Sequence, residues 1–343
     1  MKKKTELSLL NVFFCALVIL IHVLSAPVTQ LEKQSVQYAL VFFPWRLSAF
    51  VVQGFIFLAG LKMALGFSKP VKYGKYIKSR FTSVLVPYVV WVVAFYIYFI
   101  SRNYFDFSLA DLVLYILKGD LVSHFYFVIT IVQFYALRPF WKLMTEKVKF
   151  PISIVITAVI MLLSKTYLTK VFGIYMDRIF TTYLIFWVCG IYVGANYERV
   201  KEKILKNIKT IFAVCLAVLV AQAVSSYVHF TKSYVPHIQS IHFVYCLCAI
   251  LFCFSISLCF SEKVMKSKFL QWIDAASYYI YLSHPLFIFL INEKIAEWAV
   301  VDIGTALVIR ALGTYTVSIA LCVLYAKLKG KVKSALKNAK MGS

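Results

Sequence analysis

Residues 11–24 read NVFFCALVILIHVL, an apolar run with a single histidine, His22, near its far end. The run lies in a stretch from about residue 8 to residue 26, close to the ~20 residues that an α-helix needs to cross the hydrocarbon of a bilayer. An ionisable side chain at membrane depth is costly, so His22 is a functional candidate. The structural alternative is a histidine that hydrogen-bonds between packed helices.

The whole chain has the composition of a membrane protein. Of its 343 residues, 62% are apolar, and the mean hydropathy of +0.81 lies outside the range of ordinary soluble domains. The hydrophobic pattern predicts an all-α, polytopic bundle of about ten transmembrane helices. The predicted spans are about 8–26, 46–66, 83–101, 124–143, 151–171, 180–196, 208–228, 238–260, 275–292 and 303–326.

The basic residues predict how the helices are oriented. The net charge is +23, and 27 of the 37 lysines and arginines fall in the six segments that this pattern places on the side of the N-terminus. The positive-inside rule therefore predicts that both termini are cytoplasmic. The same distribution argues against nucleic acid as the partner of this charge.

The pattern predicts one membrane domain, residues 1–326, followed by a basic cytoplasmic tail, residues 327–343. The longest connections, about 27–45 and 102–123, are too short to hold a soluble core. Within the second connection, residues 109–118 predict a helix that lies at the outer surface. The tail either anchors the topology or rests on anionic lipid. The eight cysteines all fall inside predicted spans and lack the loop spacing of a zinc site, so no metal site is predicted. No bound cofactor is predicted either.

One polar stripe is predicted along the first helix. Asn11 precedes His22 by eleven residues, and eleven steps of about 100° return an α-helix to within ~20° of the same face. The two side chains would be ~16 Å apart along that face. Such a line suits a proton relay or a binding tunnel.

A second candidate is Arg80, in the stretch YIKSRFTSVLVPY at the predicted cytoplasmic entrance of the third span. Its planar guanidinium can bind a phosphate or a carboxylate through two hydrogen bonds, and Lys78 adds positive potential. Such a pair would attract a nucleotide-bearing donor from the cytosol. Ordinary anchoring at the cytoplasmic face explains the same charges.

The fourth predicted span opens with SHFYFVITIVQFY, where His124 and Tyr126 could orient an acceptor molecule. A histidine in an aromatic belt at the membrane interface is the structural alternative. In the sixth span, Gly190 and Gly194 form a GxxxG pair, which favours close packing of two helices.

The ninth predicted span contains SYYIYLSHPL, with Ser277, Tyr281 and His284 on one helix face. Pro285 has no N–H to donate to the carbonyl four residues earlier. The helix is therefore predicted to be opened locally beside His284, an arrangement unusual for packing alone.

Taken together, these stretches resemble the integral-membrane acyltransferase family 3, and within it the branch of polysaccharide intercellular adhesin membrane acyltransferases. The resemblance covers most of the chain and depends on the order and spacing of the matching stretches. Those stretches are NVFFCALVILIHVL, SRFTSVLVPY, HFYFVITIVQFY, FWVCGIYVGANYERV and SYYIYLSHP. Members of this family typically have about ten helices and transfer acyl groups to surface sugars.

By position, the resemblance implies that His22 is the catalytic histidine and Arg80 the donor-side arginine. It also implies that Tyr126 and Phe127 form the aromatic motif of the fourth span. One departure is Asn11, which stands where the family usually has an arginine.

A second departure lies just before the QFY sequence of the fourth span. Many family members have a glutamate there, and this chain has Ile131 and Val132.

The resemblance implies an enzyme of a bacterial plasma membrane that moves an acyl group, acetyl or succinyl, from cytosolic acyl-CoA to a hydroxyl of an extracytoplasmic polysaccharide. His22 would act as a base or as the carrier of the acyl group. The remaining expected roles are donor binding by Asn11, Arg80 and Lys78, and acceptor binding or support by His124, Tyr126, Ser277, Tyr281 and His284.

Two alternatives to this enzyme stay open. One is an exporter or flippase that moves a polysaccharide or a lipid-linked sugar without covalent chemistry, although the internal repeats of many transporters are not visible. The other is an inactive assembly partner.

Overall fold

The structure is a computed structural model that describes residues 4–339. Lys2, Lys3 and Lys340, which belong to the predicted basic ends, lie outside the described residues. Every regular element within the described range is helical, which confirms the all-α prediction. The α-helices in chain order are α1 (Thr5–Gln30), α2 (Val36–Ser48), α3 (Val51–Ala64), α4 (Tyr73–Arg80), α5 (Val86–Ser101), α6 (Leu109–Lys118), α7 (Tyr126–Ala136), α8 (Arg138–Lys147), α9 (Phe150–Phe172), α10 (Leu184–Ala195), α11 (Tyr197–Lys206), α12 (Ile208–Thr231), α13 (Ile238–Val264), α14 (Lys268–Glu297) and α15 (Ile303–Ala339).

The chain forms two compact units. Unit 1 combines the residues up to Val51 with those from Ile204 onward, and unit 2 is Val52–Lys203. Unit 1 therefore contains α1, α2 and α12 to α15, whereas unit 2 contains most of α3 to α11. The candidates His22 and His284 belong to unit 1, and Arg80 belongs to unit 2.

The helices have the length and composition of a multi-pass membrane protein. Within residues 4–339, seven helical segments are long and apolar enough to cross a membrane, and the bent pair Leu109–Lys118 and Ser123–Ala136 would make an eighth. The predicted number of ten is not confirmed. The two other predicted spans correspond to the shorter helix Phe180–Ala195 and to α14, which is long enough but carries more polar side chains. The cytoplasmic location of both termini stays a prediction.

The predicted connection 27–45 is mostly helical. α1 continues to Gln30, and α2 begins at Val36. Ser35 accounts for this early start, because its hydroxyl accepts a hydrogen bond from the Tyr38 N–H and so caps the new helix. The short helix expected over residues 109–118 is present as α6, with its first turn capped by Ser108.

The fourth predicted span, residues 124–143, is not one continuous helix. α7 ends at Ala136, and α8 begins at Arg138 with Pro139 in its first turn, a position at which proline favours a new helix start. At the C-terminal end, α15 continues without a break past residue 327, the predicted start of the tail.

α1 is the central helix of unit 1, where it contacts α2, α13, α14 and α15. The Tyr315 hydroxyl of α15 donates a hydrogen bond of 2.6 Å to the Ala16 carbonyl. At the start of α1, the hydroxyls of Thr5 and Ser261 are 3.2 Å apart. Because lipid hydrocarbon offers no hydrogen-bonding partners, contacts of this kind hold α1 in one rotation about its axis.

In unit 2, the predicted GxxxG pair lies at a close helix contact. A Cβ atom added at Gly190 would collide with the Phe57 carbonyl of α3, and one added at Gly194 would lie 2.5 Å from the Leu61 carbonyl oxygen. Both obstacles are backbone atoms, which cannot rotate away as a side chain can. The two glycines therefore allow α10 to pack directly on the α3 backbone, as their spacing predicts.

We expect Gly190→Ala to lower the thermal unfolding midpoint of the detergent-solubilised protein, because overpacking against backbone costs about 1–3 kcal/mol. Gly74→Ala is the matched control. Gly74 lies in α4, and an added Cβ there meets no atom within 4 Å. That control should unfold at the same or a higher temperature, since alanine is favoured over glycine in a helix by about 0.5–1 kcal/mol. An unchanged midpoint for Gly190→Ala would contradict the close contact.

Candidate active site

His22 and His284 lie side by side in unit 1. Their ring centroids are 5.0 Å apart, with an angle of 57° between the ring planes. His22 is half-buried on α1, whereas His284 on α14 is fully buried. Of the two imidazoles, His22 is therefore the more exposed.

The backbone of α14 explains how His284 is held. Pro285 lies inside this helix and has no N–H, so the Tyr281 carbonyl loses its usual partner. The His284 ring takes over this role, because its Nδ1 lies 2.9 Å from the Tyr281 oxygen and 3.1 Å from the Ile280 oxygen. The helix stays continuous from Lys268 to Glu297 although proline stands in its interior.

These contacts fix which ring nitrogen of His284 carries a proton. A carbonyl oxygen only accepts hydrogen bonds, so Nδ1 must be the donor. In the neutral ring the Nε2 atom then carries the lone pair, and it can accept a hydrogen bond from a neighbour. A partner that fixes the tautomer and the ring orientation in this way is a common support for a working histidine.

Asn11 also faces α14, as the predicted polar stripe requires. Its Nδ2 donates hydrogen bonds of 2.8 Å both to the Asp274 carboxylate and to the Ser277 hydroxyl. Asn11 and Ser277 were expected from the sequence, but Asp274 was not. The Asp274 carboxylate faces position 11, where the family usually has an arginine. In this chain it accepts a hydrogen bond from the uncharged amide of Asn11 instead.

Tyr281, the remaining residue of the predicted α14 face, is buried next to the histidines. Its ring centroid is 6.4 Å from that of His284. On this face of α14, Ser277 contacts Asn11 and Cys15 of α1, His284 contacts His22, and Tyr281 contacts His284. The sequence periodicity predicted that Ser277, Tyr281 and His284 share one helix face, and their role in a site stays a prediction.

In unit 2, Arg80 lies between two tyrosine rings. Its guanidinium carbon is 5.3 Å from the centroid of Tyr76 and 5.4 Å from that of Tyr135. Its Nε atom is buried and has no hydrogen-bond partner among the described residues. A stacked guanidinium of this kind is pre-positioned to bind an anion through its planar edge.

A second arginine, Arg138 of α8, lies against the same tyrosine ring, that of Tyr76. Its guanidinium carbon is 5.1 Å from the Tyr76 centroid, and its Nη2 donates a 3.1 Å hydrogen bond to the Gly66 carbonyl. Arg80 and Arg138 thus share one aromatic ring, and neither forms an ion pair with a carboxylate in residues 4–339. Lys78, the other predicted donor residue, is exposed.

Directly after Arg80 the backbone changes from an α-helix to a π-helix. Residues 81–85 form a π-helix, in which the Val86 N–H donates to the Phe81 carbonyl five residues earlier. The hydroxyls of Thr82 and Ser83 donate to the Lys78 and Ser79 carbonyls four residues earlier, a pattern that often accompanies a bend in a helix. Such π-turns are frequent at functional sites, and here the turn marks the position of Arg80.

The fourth-span candidates have different surroundings. His124 is buried beside Phe125 and Phe95, with ring centroids 4.3 Å and 6.0 Å away. Tyr126 is half-buried and hydrogen-bonds with Tyr183. The contacts of these two side chains are thus with aromatic residues of unit 2.

The sequence of the whole chain matches known proteins. Residues 5–327 match the profile of acyltransferase family 3, which is described as an acyltransferase domain. A "probable poly-beta-1,6-N-acetyl-D-glucosamine export protein" of Staphylococcus aureus strain MSSA476 is 26% identical over 308 residues, with 83% of each chain covered. The protein with the same description from Staphylococcus epidermidis is 23% identical over 307 residues, which cover 83% of this chain and 81% of the relative. No solved structure matches the chain.

The link between Pro285 and His284 can be tested with a double-mutant cycle. We expect His284→Ala to leave the Tyr281 carbonyl unpaired, which costs about 1–3 kcal/mol of stability in addition to the cavity. In this background Pro285→Ala should recover part of the loss, because the alanine supplies the missing N–H. Alone, Pro285→Ala should change stability less, since the carbonyl already has a donor. Equal effects of Pro285→Ala in both backgrounds, measured by thermal unfolding, would contradict the contact.

Proposed function

Because the chain belongs to acyltransferase family 3, we propose that it transfers an acyl group from acyl-CoA to a hydroxyl group of a cell-surface polysaccharide. The observation that carries this proposal is the contact between the more exposed His22 and the buried His284, whose tautomer is fixed by the α14 backbone. Acyl transfer to an alcohol needs a base at the hydroxyl, and a neutral imidazole is suited to that task.

In the proposed reaction, His22 removes the proton from the sugar hydroxyl while its oxygen attacks the thioester carbon. A new ester bond forms and the carbon–sulfur bond breaks. CoA leaves as a thiolate and takes up the proton from His22, so the histidine is regenerated. His284 acts as a positioning residue, because its Nε2 lone pair can accept a hydrogen bond from the His22 ring and orient it.

Arg80 and Arg138 are the proposed ligands for the phosphate groups of CoA. Both guanidinium groups are held by aromatic rings and lack carboxylate partners in the described part of the chain. Phosphate binding by arginine uses two parallel hydrogen bonds, which a fixed planar group can form with little loss of entropy. Exposed Lys78 adds positive potential near Arg80.

The proposed acceptor is a polymer of N-acetylglucosamine or a related glycan. The staphylococcal relatives are described as export proteins for poly-beta-1,6-N-acetyl-D-glucosamine, which supports an acceptor of this class. Ser277 and Tyr281 support the site from α14, and Asn11 keeps α1 and α14 in register. For Tyr126 and His124 we propose a supporting role in unit 2.

Export of the polysaccharide without chemistry is the second candidate function, because that is how the relatives are described. Sealed proteoliposomes separate the two functions. With acetyl-CoA outside or inside and a poly-beta-1,6-N-acetyl-D-glucosamine oligomer as acceptor, an enzyme releases free CoA and adds mass to the oligomer. Movement of an unmodified oligomer across the membrane, with no release of CoA, would instead establish export.

We expect His22→Ala to lower the rate of acyl transfer by at least about 100-fold, the usual contribution of a positioned base. His229→Ala is the matched control, since His229 also belongs to unit 1, where its Nδ1 accepts a hydrogen bond from the Val235 N–H and its ring contacts Phe230 and Tyr234. This control should retain activity. Transfer at the wild-type rate by the folded His22→Ala protein would exclude the mechanism.

Arg80→Ala and Arg138→Ala should each raise the apparent KM for acyl-CoA about 10-fold to 100-fold, because a hydrogen bond to a charged group contributes about 1.5–3 kcal/mol. The turnover number should change less. Arg102→Ala, at an exposed arginine of the same unit, is the control. An unchanged KM in both site variants would remove the donor-binding assignment and leave the role of His22 intact.

A further inference from the structure

Unit 1 contains a second group of polar side chains at membrane depth, formed by α2, α12 and α13. The Arg46 Nε of α2 donates a 3.1 Å hydrogen bond to the Ser226 hydroxyl of α12. Gln222 Nε2 lies 3.0 Å from the same hydroxyl and 3.0 Å from His242 Nδ1 of α13. We call these four residues the Arg46 cluster. None of them has a part in the proposed acyl transfer.

The part of the chain that the structure describes holds no counter-charge for Arg46. This arginine lies within a candidate membrane span, Val36–Ala64, and forms no ion pair with a carboxylate in residues 4–339. Its neighbours are the neutral Ser226 and the ring of Phe230, whose centroid is 5.7 Å from the guanidinium carbon. An unpaired cation at membrane depth is costly and marks a functional site by default. Since Nε is already bonded, the two terminal nitrogens of the fork are left to bind a ligand.

Gln222 adds an acceptor to the same cluster. Its side chain is 0% exposed, and its Oε1 atom has no hydrogen-bond partner among the described residues. A buried amide oxygen without a partner costs free energy, so its presence requires an explanation. A ligand hydroxyl or amide that donates to this oxygen would remove the cost. The cluster thus offers both donors and an acceptor to one ligand.

A group of aromatic side chains of α2 and α12 lies beside the Arg46 cluster. Phe230, which lies next to the guanidinium, packs 6.1 Å from Trp45 and 5.5 Å from Phe42. Tyr227, one residue after Ser226, stacks on Phe43 with centroids 5.4 Å apart. Apolar and aromatic walls with a few convergent polar groups are the usual features of a small-molecule site.

His22 and Arg46 lie at similar distances along their helices from the connection between α1 and α2. His22 is eight residues from the end of α1 at Gln30, and Arg46 is ten residues from the start of α2 at Val36. At 1.5 Å per residue, these are about 12 Å and about 15 Å from the same turn.

We infer that the Arg46 cluster binds an oxyanion, a carboxylate or a phosphate, joined to a hydroxylated group. The guanidinium fork would hold the oxyanion through two hydrogen bonds, and Gln222 Oε1 would accept from the hydroxyl. Two sources supply this chemistry, an acidic sugar and the headgroup of an anionic lipid. The inference does not require acyl transfer, so its test is a binding measurement without acyl-CoA.

The experiment measures the thermal unfolding midpoint of the full chain in nanodiscs at constant ionic strength. In phosphatidylcholine nanodiscs, glucuronate and glucose 6-phosphate are added at rising concentration, with uncharged glucose as the matched probe. A parallel series without sugar uses nanodiscs that contain phosphatidylglycerol. We expect a saturable rise of the midpoint with an anionic sugar, with phosphatidylglycerol, or with both, and glucose should bind at least about tenfold more weakly.

Variants connect the binding to the cluster. Arg46→Gln should abolish the anion-dependent rise, whereas Arg102→Gln, which removes an exposed arginine, should leave it unchanged. Where Arg46→Gln does not fold, Arg46→Lys keeps the charge but loses the planar fork, and it should raise the half-saturating concentration about tenfold. A rise with phosphatidylglycerol alone identifies the lipid as the source. The inference is overturned if no anion raises the midpoint of the wild type, or if the rise is equal in the Arg46 variants.

Discussion

Polar groups within the helices of this protein must find partners inside the protein, because lipid hydrocarbon supplies none. This constraint explains most of the contacts around α1. Asn11 is satisfied by Asp274 and Ser277, the Ala16 carbonyl by Tyr315, and the Tyr281 carbonyl by His284. Each contact satisfies a polar group and, at the same time, sets the position of a helix. The contacts of the His284 ring with the carbonyls of its own helix fix its orientation beside His22.

Periodicity within single helices was sufficient to predict part of the candidate site. The eleven-residue interval predicted that Asn11 and His22 share a face, and both residues do contact α14. The seven-residue interval did the same for Ser277 and His284. Helix geometry is local, so the residues that share one face of a helix can be calculated from the sequence without the tertiary structure. The all-α fold could be predicted for the same reason.

Contacts between distant segments could not be predicted. Asp274 is a candidate only because it contacts Asn11, which is 263 residues away in the sequence. Arg138 is a candidate only because it contacts the ring of Tyr76. Gln133, a polar residue with no apparent partner in the sequence, bonds the backbone of Arg178 and Phe180. The predicted number of ten spans is not confirmed, in part because α14 combines a membrane-length helix with the polar residues of the candidate site. Such polar residues lower the mean hydropathy of the segment, although in the folded protein they form hydrogen bonds with other residues.

The division of unit 1 into two distant parts of the sequence has a consequence for biosynthesis. α1 and α2 leave the ribosome first, but α12 to α15 follow only after the whole of unit 2 has been made. Asn11 and His22 must therefore enter the translocation machinery long before Asp274 and His284 exist. During this interval the polar stripe of α1 depends on temporary partners, which membrane insertases and chaperones can supply. α1 is synthesised first but acquires its contacts with α14 only near the end of synthesis. A chain truncated before α14 would leave the polar stripe of α1 exposed to the quality-control proteases of the membrane.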